Sequence, residues 1–117
     1  MSEQQLQEID ISMTQASKLL DDANALKRLS ANDDFKQIIL EGYFKEEASK
    51  QVLMKAEPGM ESEDMQVAVT KVIDSIGTLR QHFIAIQQFG MMAEKTLREG
   101  ATAREEILAE DLNSEAH

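Results

Sequence analysis

The chain has 117 residues, with 22 acidic against 12 basic side chains, 42% hydrophobic residues, one proline and no cysteine or tryptophan. A formal net charge of −10 argues against a phosphate-binding surface, because nucleic-acid affinity comes mainly from Lys and Arg neutralising phosphates. Without cysteine there is no disulfide, thiol nucleophile or Cys-based zinc site, which suits a reducing compartment, and no apolar run approaches the ~20 residues needed to span a bilayer.

The length fits one helical domain over residues 1–117. Four Phe and one Tyr are few, so Leu, Ile, Val, Met and Ala must carry the packing. The opening Met1-Ser2-Glu3-Gln4 lacks the basic and apolar parts of a signal peptide, and an intracellular setting is expected.

A first helix is expected over about 3–29. Leu6, Ile9, Met13, Ala16, Leu20 and Ala23 recur at steps of three and four, and Leu19, Leu26 and Leu29 widen that stripe. Ser30-Ala31-Asn32-Asp33-Asp34 reads as a break, with Asn32 as an N-cap and acids just inside the next helix, where the helix dipole favours them.

The second helix is expected over about 33–56. Phe35, Ile38, Ile39, Leu40, Tyr43, Phe44, Ala48, Val52 and Leu53 cover more than one face, as on a helix contacted from two sides. Pro58-Gly59 ends it, because proline lacks an N–H and clashes with the preceding turn. Ser62, followed by Glu63 and Asp64, reads as the next N-cap.

The third helix, about 63–112, carries a single three-four register. It runs through Met65, Val69, Val72, Ile76, Leu79, Phe83, Ile86, Gly90, Ala93, Leu97, Gly100 and Ile107, interrupted by Arg104. Such a heptad-like seam implies close helix–helix packing. Gly90 and Gly100 lie on it, each costing about 1 kcal/mol of helix propensity, which a close backbone approach or a bend would offset. Gly77 lies off it. Residues from about 113 to 117 are expected to fray.

Folding at Pro58-Gly59 gives an all-α, long antiparallel helical hairpin with one arm broken near Asn32; a compact three-helix bundle is the alternative. An even register sets Phe83 opposite Phe35, Gly90 beside Leu29-Ser30, Ile107 level with Ile11 and Met13, and Leu112 level with Leu6. A two-helix hairpin buries little for its length, so a homo-oligomer or a place in a larger assembly is expected.

The sequence offers little chemistry. His82 neighbours Phe83 off the seam and His117 is the last residue; neither follows a Glu by three positions, as helical di-iron sites require. Asp21-Asp22, Asp33-Asp34, Glu46-Glu47 and Glu105-Glu106 are adjacent pairs, which do not share a helix face and make poor dyads or metal clamps. No phosphate-cradling glycine loop or calcium loop is present. The expectation is a non-enzymatic chain with no catalytic, cofactor-binding or metal residues and no cofactor.

Interfaces remain. Met91-Met92 follow Phe89-Gly90, and an exposed Met pair makes an adaptable surface. The candidate contact residues are Phe35, Ile39, Tyr43, Phe44, Phe83, Phe89, Met91 and Met92. Glu105, Glu106, Glu110 and Asp111 oppose the dipole at a helix C-terminus, so they form a candidate acidic docking site.

The stretch Leu26-Lys27-Arg28-Leu29-Ser30-Ala31-Asn32-Asp33-Asp34-Phe35, continuing to Gly42-Tyr43-Phe44-Lys45-Glu46-Glu47-Ala48, resembles a helix–break–helix signature of small uncharacterised helical proteins of tailed bacteriophages. Lys55-Ala56-Glu57-Pro58 and the region from Phe83 to Glu94 are similar in spacing, so the likeness covers about residues 26–95. It implies a viral origin and a virion-associated or host-modulating role, in the host cytoplasm or the virion. The leading expectation is a structural, adaptor or assembly component whose partner is a protein, whether itself or another phage or host protein, with no direct nucleic-acid or membrane binding. The alternative is an acidic inhibitor, a nucleic-acid mimic that blocks a host nucleic-acid-binding protein.

Overall fold

In the computed structural model, which describes residues 2–115, three helical arms follow one another without a strand among the described residues. Helix α1 spans Ser2–Ser30. Arm α2 begins as Asp33–Phe35, continues as a π-helix over Lys36–Glu47 and returns to α geometry over Ala48–Met54. Helix α3 spans Glu63–Glu115, so it runs through Asn113–Glu115, beyond the end expected from sequence; residues 116 and 117 lie outside the described residues. No described helix is long and apolar enough to cross a membrane.

The boundaries follow from local chemistry. The Asn32 side chain accepts from the Phe35 N–H at 3.0 Å, satisfying one of the N–H groups that a helix start leaves without a partner. Replacing Asn32 with Ala removes that acceptor and is expected to cost about 1 kcal/mol, seen as a lower urea midpoint. Ser62 does the same for α3, accepting from the Met65 N–H at 3.2 Å. Between α2 and α3 the chain turns at Gly59, whose φ of 91° belongs to the left-handed region that glycine enters without strain. The Gly59 N–H donates to the Glu61 carboxylate at 3.0 Å. The Gln66 amide donates to the Lys55 carbonyl at 2.9 Å and to the Met60 carbonyl at 2.6 Å, which fastens the turn to the first residues of α3.

Packing divides the chain into two units, one of Met1–Ala25 with Ile86–His117 and one of Leu26–Ala85. In the first, α1 runs antiparallel to the C-terminal part of α3: Ala23 meets Gly90, and Met13 meets Gly100. That is the hairpin pairing; a folded-back bundle would set α1 against the earlier part of α3. Ala16 and Ala93 are buried, and Leu6, Ile9, Met13, Leu20 and Ala23 are half-buried, as the three-four stripe requires. The approach is close because small residues meet. A Cβ built on Gly90 would stand 2.3 Å from the Ala23 Cβ, and one on Gly100 would stand 2.8 Å from the Met13 Cγ. Nothing lies within 4 Å of a Cβ built on Gly77. Arg104, where the seam is interrupted, donates to Asp10 at 2.8 Å.

In the second unit α2 runs antiparallel to the N-terminal part of α3. Lys55 donates to the Thr70 hydroxyl at 3.0 Å, and the Phe35 and Phe83 ring centroids lie 6.0 Å apart. Leu26, Val69 and Ile76 are buried. The Phe35–Phe83 pairing is as expected from sequence, but two features differ. Met65 and Val72 are exposed, while Gln66, Thr70 and Ile73 turn inward, because the polar contacts of Gln66 and Thr70 with the turn set the rotation of the helix start. The run from Phe35 to Lys55 also lies along a shorter run, Thr70 to Phe83. The i→i+5 ladder of a π-helix places more than 3.6 residues in each turn, so α2 consumes more residues per length than α3.

The even register holds at Phe35–Phe83, but the levels it sets are corrected in the first unit, beyond the break at Ala31–Asn32. Gly90 meets Ala23 rather than Leu29-Ser30. Met13, expected level with Ile107, meets Gly100. The widened turn also accounts for the broad apolar face of α2. Phe35, Ile39, Leu40, Tyr43, Phe44 and Ala48 are all half-buried, while Ile38, Val52 and Leu53 stay exposed.

Candidate protein-docking surface

The candidate contact residues separate into two environments. Phe83 receives the ring of Phe35 and that of Phe44, whose centroid lies 5.8 Å away in an edge-on arrangement, and Tyr43 lies 6.0 Å from Phe44. Offset and edge-on pairs of this kind stabilise by about 0.5–1.5 kcal/mol beyond the area they bury. Phe35, Tyr43, Phe44 and Phe83 thus form a ring cluster within the second unit and, like Ile39, stay half-buried, with part of each side chain open to solvent.

Phe89, Met91 and Met92 are different: they are 50%, 72% and 64% exposed. Burying any of them elsewhere would gain roughly 1.5–3 kcal/mol, so their exposure is unfavourable for the isolated chain. They do not share a face. Phe89 and Met92, three residues apart, lie on one side of the α3 seam, and Met91 lies on the other, because consecutive residues point about 100° apart.

On the Phe89–Met92 side, the first unit carries a groove between its two helices. Its walls are two rows at three-four spacing. Gln5, Glu8, Ser12, Gln15 and Leu19 stand on α1; Phe89, Met92, Thr96, Glu99 and Ala103 stand on α3. Ile9, Met13, Ala16, Ala93, Gly100 and Ile107 form the floor. Ala16, Ala93 and Gly100 are the small residues among them, which leaves the flanking rows proud of that part of the seam. It is apolar at one end, with Leu19, Phe89 and Met92, and acidic at the other, with Glu8 and Glu99. No basic side chain lines it. Glu99 has Lys95 at 3.8 Å, both side chains being largely exposed, so that pair contributes little.

The acidic residues near the α3 terminus continue this pattern. Glu105, Glu106 and Glu110 are exposed and Asp111 is half-buried, and none forms an ion pair among the described residues. Glu106 lines a shallow depression with Arg98, Glu99, Thr102 and Ala103, next to the groove, so this edge carries one base beside its two acids. Glu105 lies about 100° round the helix from Glu106.

His82 is exposed on α3, its ring 6.3 Å from that of Phe83; it shares an open depression with Asp74, Ser75, Thr78 and Leu79, where the Ser75 and Thr78 hydroxyls donate to the Lys71 and Asp74 carbonyls. His117 lies outside the described residues. No group of three His, Asp or Glu side chains that could hold a metal occurs among the described residues. Sequence reasoning missed Leu19 as a partner of Phe89 and Met92, and missed the polar rows altogether. Their three-four spacing was present, but a search for apolar periodicity passes over Gln, Ser and Glu. The chain matches no family model, no curated protein and no solved structure.

Proposed function

We propose that this chain is a non-enzymatic protein that works by protein–protein contact through its helical surfaces, as a structural, adaptor or assembly component of a tailed bacteriophage. The observation that carries the reading is the exposure of Phe89, Met91 and Met92 beside a seam built from small residues. Exposed apolar side chains grouped on one flank, as Phe89 and Met92 are, mark contact sites, and methionine adapts to varied partner shapes. The phage assignment rests on the resemblance carried by residues 26–95, and it sets the expected location as host cytoplasm or virion.

The test is affinity isolation of the tagged chain from infected cells, alongside a protein inventory of purified virions. A fixed copy number in virions, or one co-isolated assembly protein lost on substituting Phe89 and Met92 with Ser and Gln, is the expected result. A host nuclease or polymerase as the co-isolated species would select the acidic-inhibitor reading. A concentration-independent monomer with no companion protein would remove the proposal.

A further inference from the structure

The geometry points to an occupant for the α1–α3 groove: one amphipathic helix of a partner protein, apolar at one end of its contact stripe and carrying Lys or Arg at the other. This rests on the protein-contact reading above and specifies its site and chemistry. Two antiparallel helices whose flanking rows stand above a floor of small residues form a trough, and a third helix fills such a trough with side chains at three-four spacing. From Leu19 to Gln5 the wall extends about 20 Å at 1.5 Å per residue, or roughly four helical turns.

Charge selects the occupant. Glu8 and Glu99 line the polar end with no basic side chain in the groove itself. A covering helix without cations would take Glu8 out of water unpaired, and Glu99 with only the long 3.8 Å pair to exposed Lys95, which is unfavourable. A second copy of this chain suits the groove badly for the same reason. A two-fold axis along the groove sets Glu8 and Glu99 against their own counterparts. An axis across it sets them against Leu19, Phe89 and Met92.

The experiment uses the full chain and a labelled synthetic helix of about four turns, with Leu on one half of its contact stripe and Lys on the other. A second peptide with Glu in place of Lys is the control. Binding is followed by fluorescence anisotropy at low and high salt, with circular dichroism confirming that each variant folds. The Lys peptide should bind, and the Glu peptide should bind on the order of tenfold more weakly. Leu19→Gln with Met92→Gln, and separately Glu8→Gln with Glu99→Gln, should each weaken the Lys peptide about tenfold. Only the carboxylate pair should also reduce the salt dependence. Glu94→Gln, which removes a charge on the other flank of α3, should leave binding unchanged.

Equal binding of both peptides, an equal effect of Glu94→Gln, or no binding at all would overturn the proposal. So would a dimer of the chain abolished by Leu19→Gln with Met92→Gln, which would assign the groove to a second copy. In that dimer case the wider contact reading survives, whereas a chain that neither self-associates nor retains any companion in the affinity isolation fails both.

Discussion

Replacing Gly90 with alanine is expected to destabilise the protein by about 2 kcal/mol, although alanine is the better helix former by about 1 kcal/mol. The added methyl would fall 2.3 Å from the Ala23 Cβ, with the Ala23 Cα at 3.8 Å and the Leu19 carbonyl at 3.9 Å. A Cβ has no rotamer by which to escape, so the helices themselves must part. Parting them also loosens the buried Ala16 and Ala93 packing, since dispersion contacts fall off within a fraction of an ångström. The same substitution at Gly77, where nothing lies within 4 Å, should stabilise by about 0.5–1 kcal/mol. At Gly100 the obstacle is the flexible Met13 side chain, so a smaller loss than at Gly90 is expected. Urea unfolding of the three variants gives the order Gly77→Ala, wild type, Gly100→Ala, Gly90→Ala from most to least stable. Ala23→Gly should recover much of the Gly90→Ala loss, because it removes the methyl that the new one meets.

The second large effect is expected at Phe83, where Phe83→Ala should cost about 3 kcal/mol. Phe83 is the one ring that touches both Phe35 and Phe44, so its loss leaves two further aromatics without a partner across the helix pair. Because those contacts lie within the Leu26–Ala85 unit, amide exchange should accelerate there first, including around the Asn32 cap. Phe83→Leu keeps most of the volume and should cost about 1 kcal/mol. Equal protection loss in both units, or a cost no larger than that of Phe83→Leu, would contradict the role given to this cluster.

The elements that sequence expresses directly are those set by local chemistry. Asn32 and Ser62 as caps, Pro58-Gly59 as the turn, and the α1 stripe from Leu6 to Ala23 each depend on residues a few positions apart. Gly90 was legible as a close-approach site because a glycine on an apolar seam has few other uses. The register was not legible beyond Phe35, because residues are taken up at the Ala31–Asn32 break, and a count that treats the arm as continuous helix cannot express this.

At the candidate site, Phe89, Met91 and Met92 stood out as a run of three large apolar residues in four positions. Only the helix geometry separates Met91 from the other two and brings Leu19 to them from α1. Among the acids, sequence singles out for docking only the C-terminal Glu105, Glu106, Glu110 and Asp111, and not the acidic end of the groove. Its structural meaning comes instead from Glu8 and Glu99, which are distant in sequence and share a groove only once Met13 packs on Gly100.

The most direct test of the account compares the wild-type chain with the Leu19→Gln, Met92→Gln variant in affinity isolation from infected cells, using quantitative protein composition as the readout. The account predicts a companion protein at fixed ratio with the wild type, reduced on the order of tenfold with the variant, while circular dichroism shows the variant to be as helical as the wild type. Undiminished retention of that companion by the folded variant would contradict it.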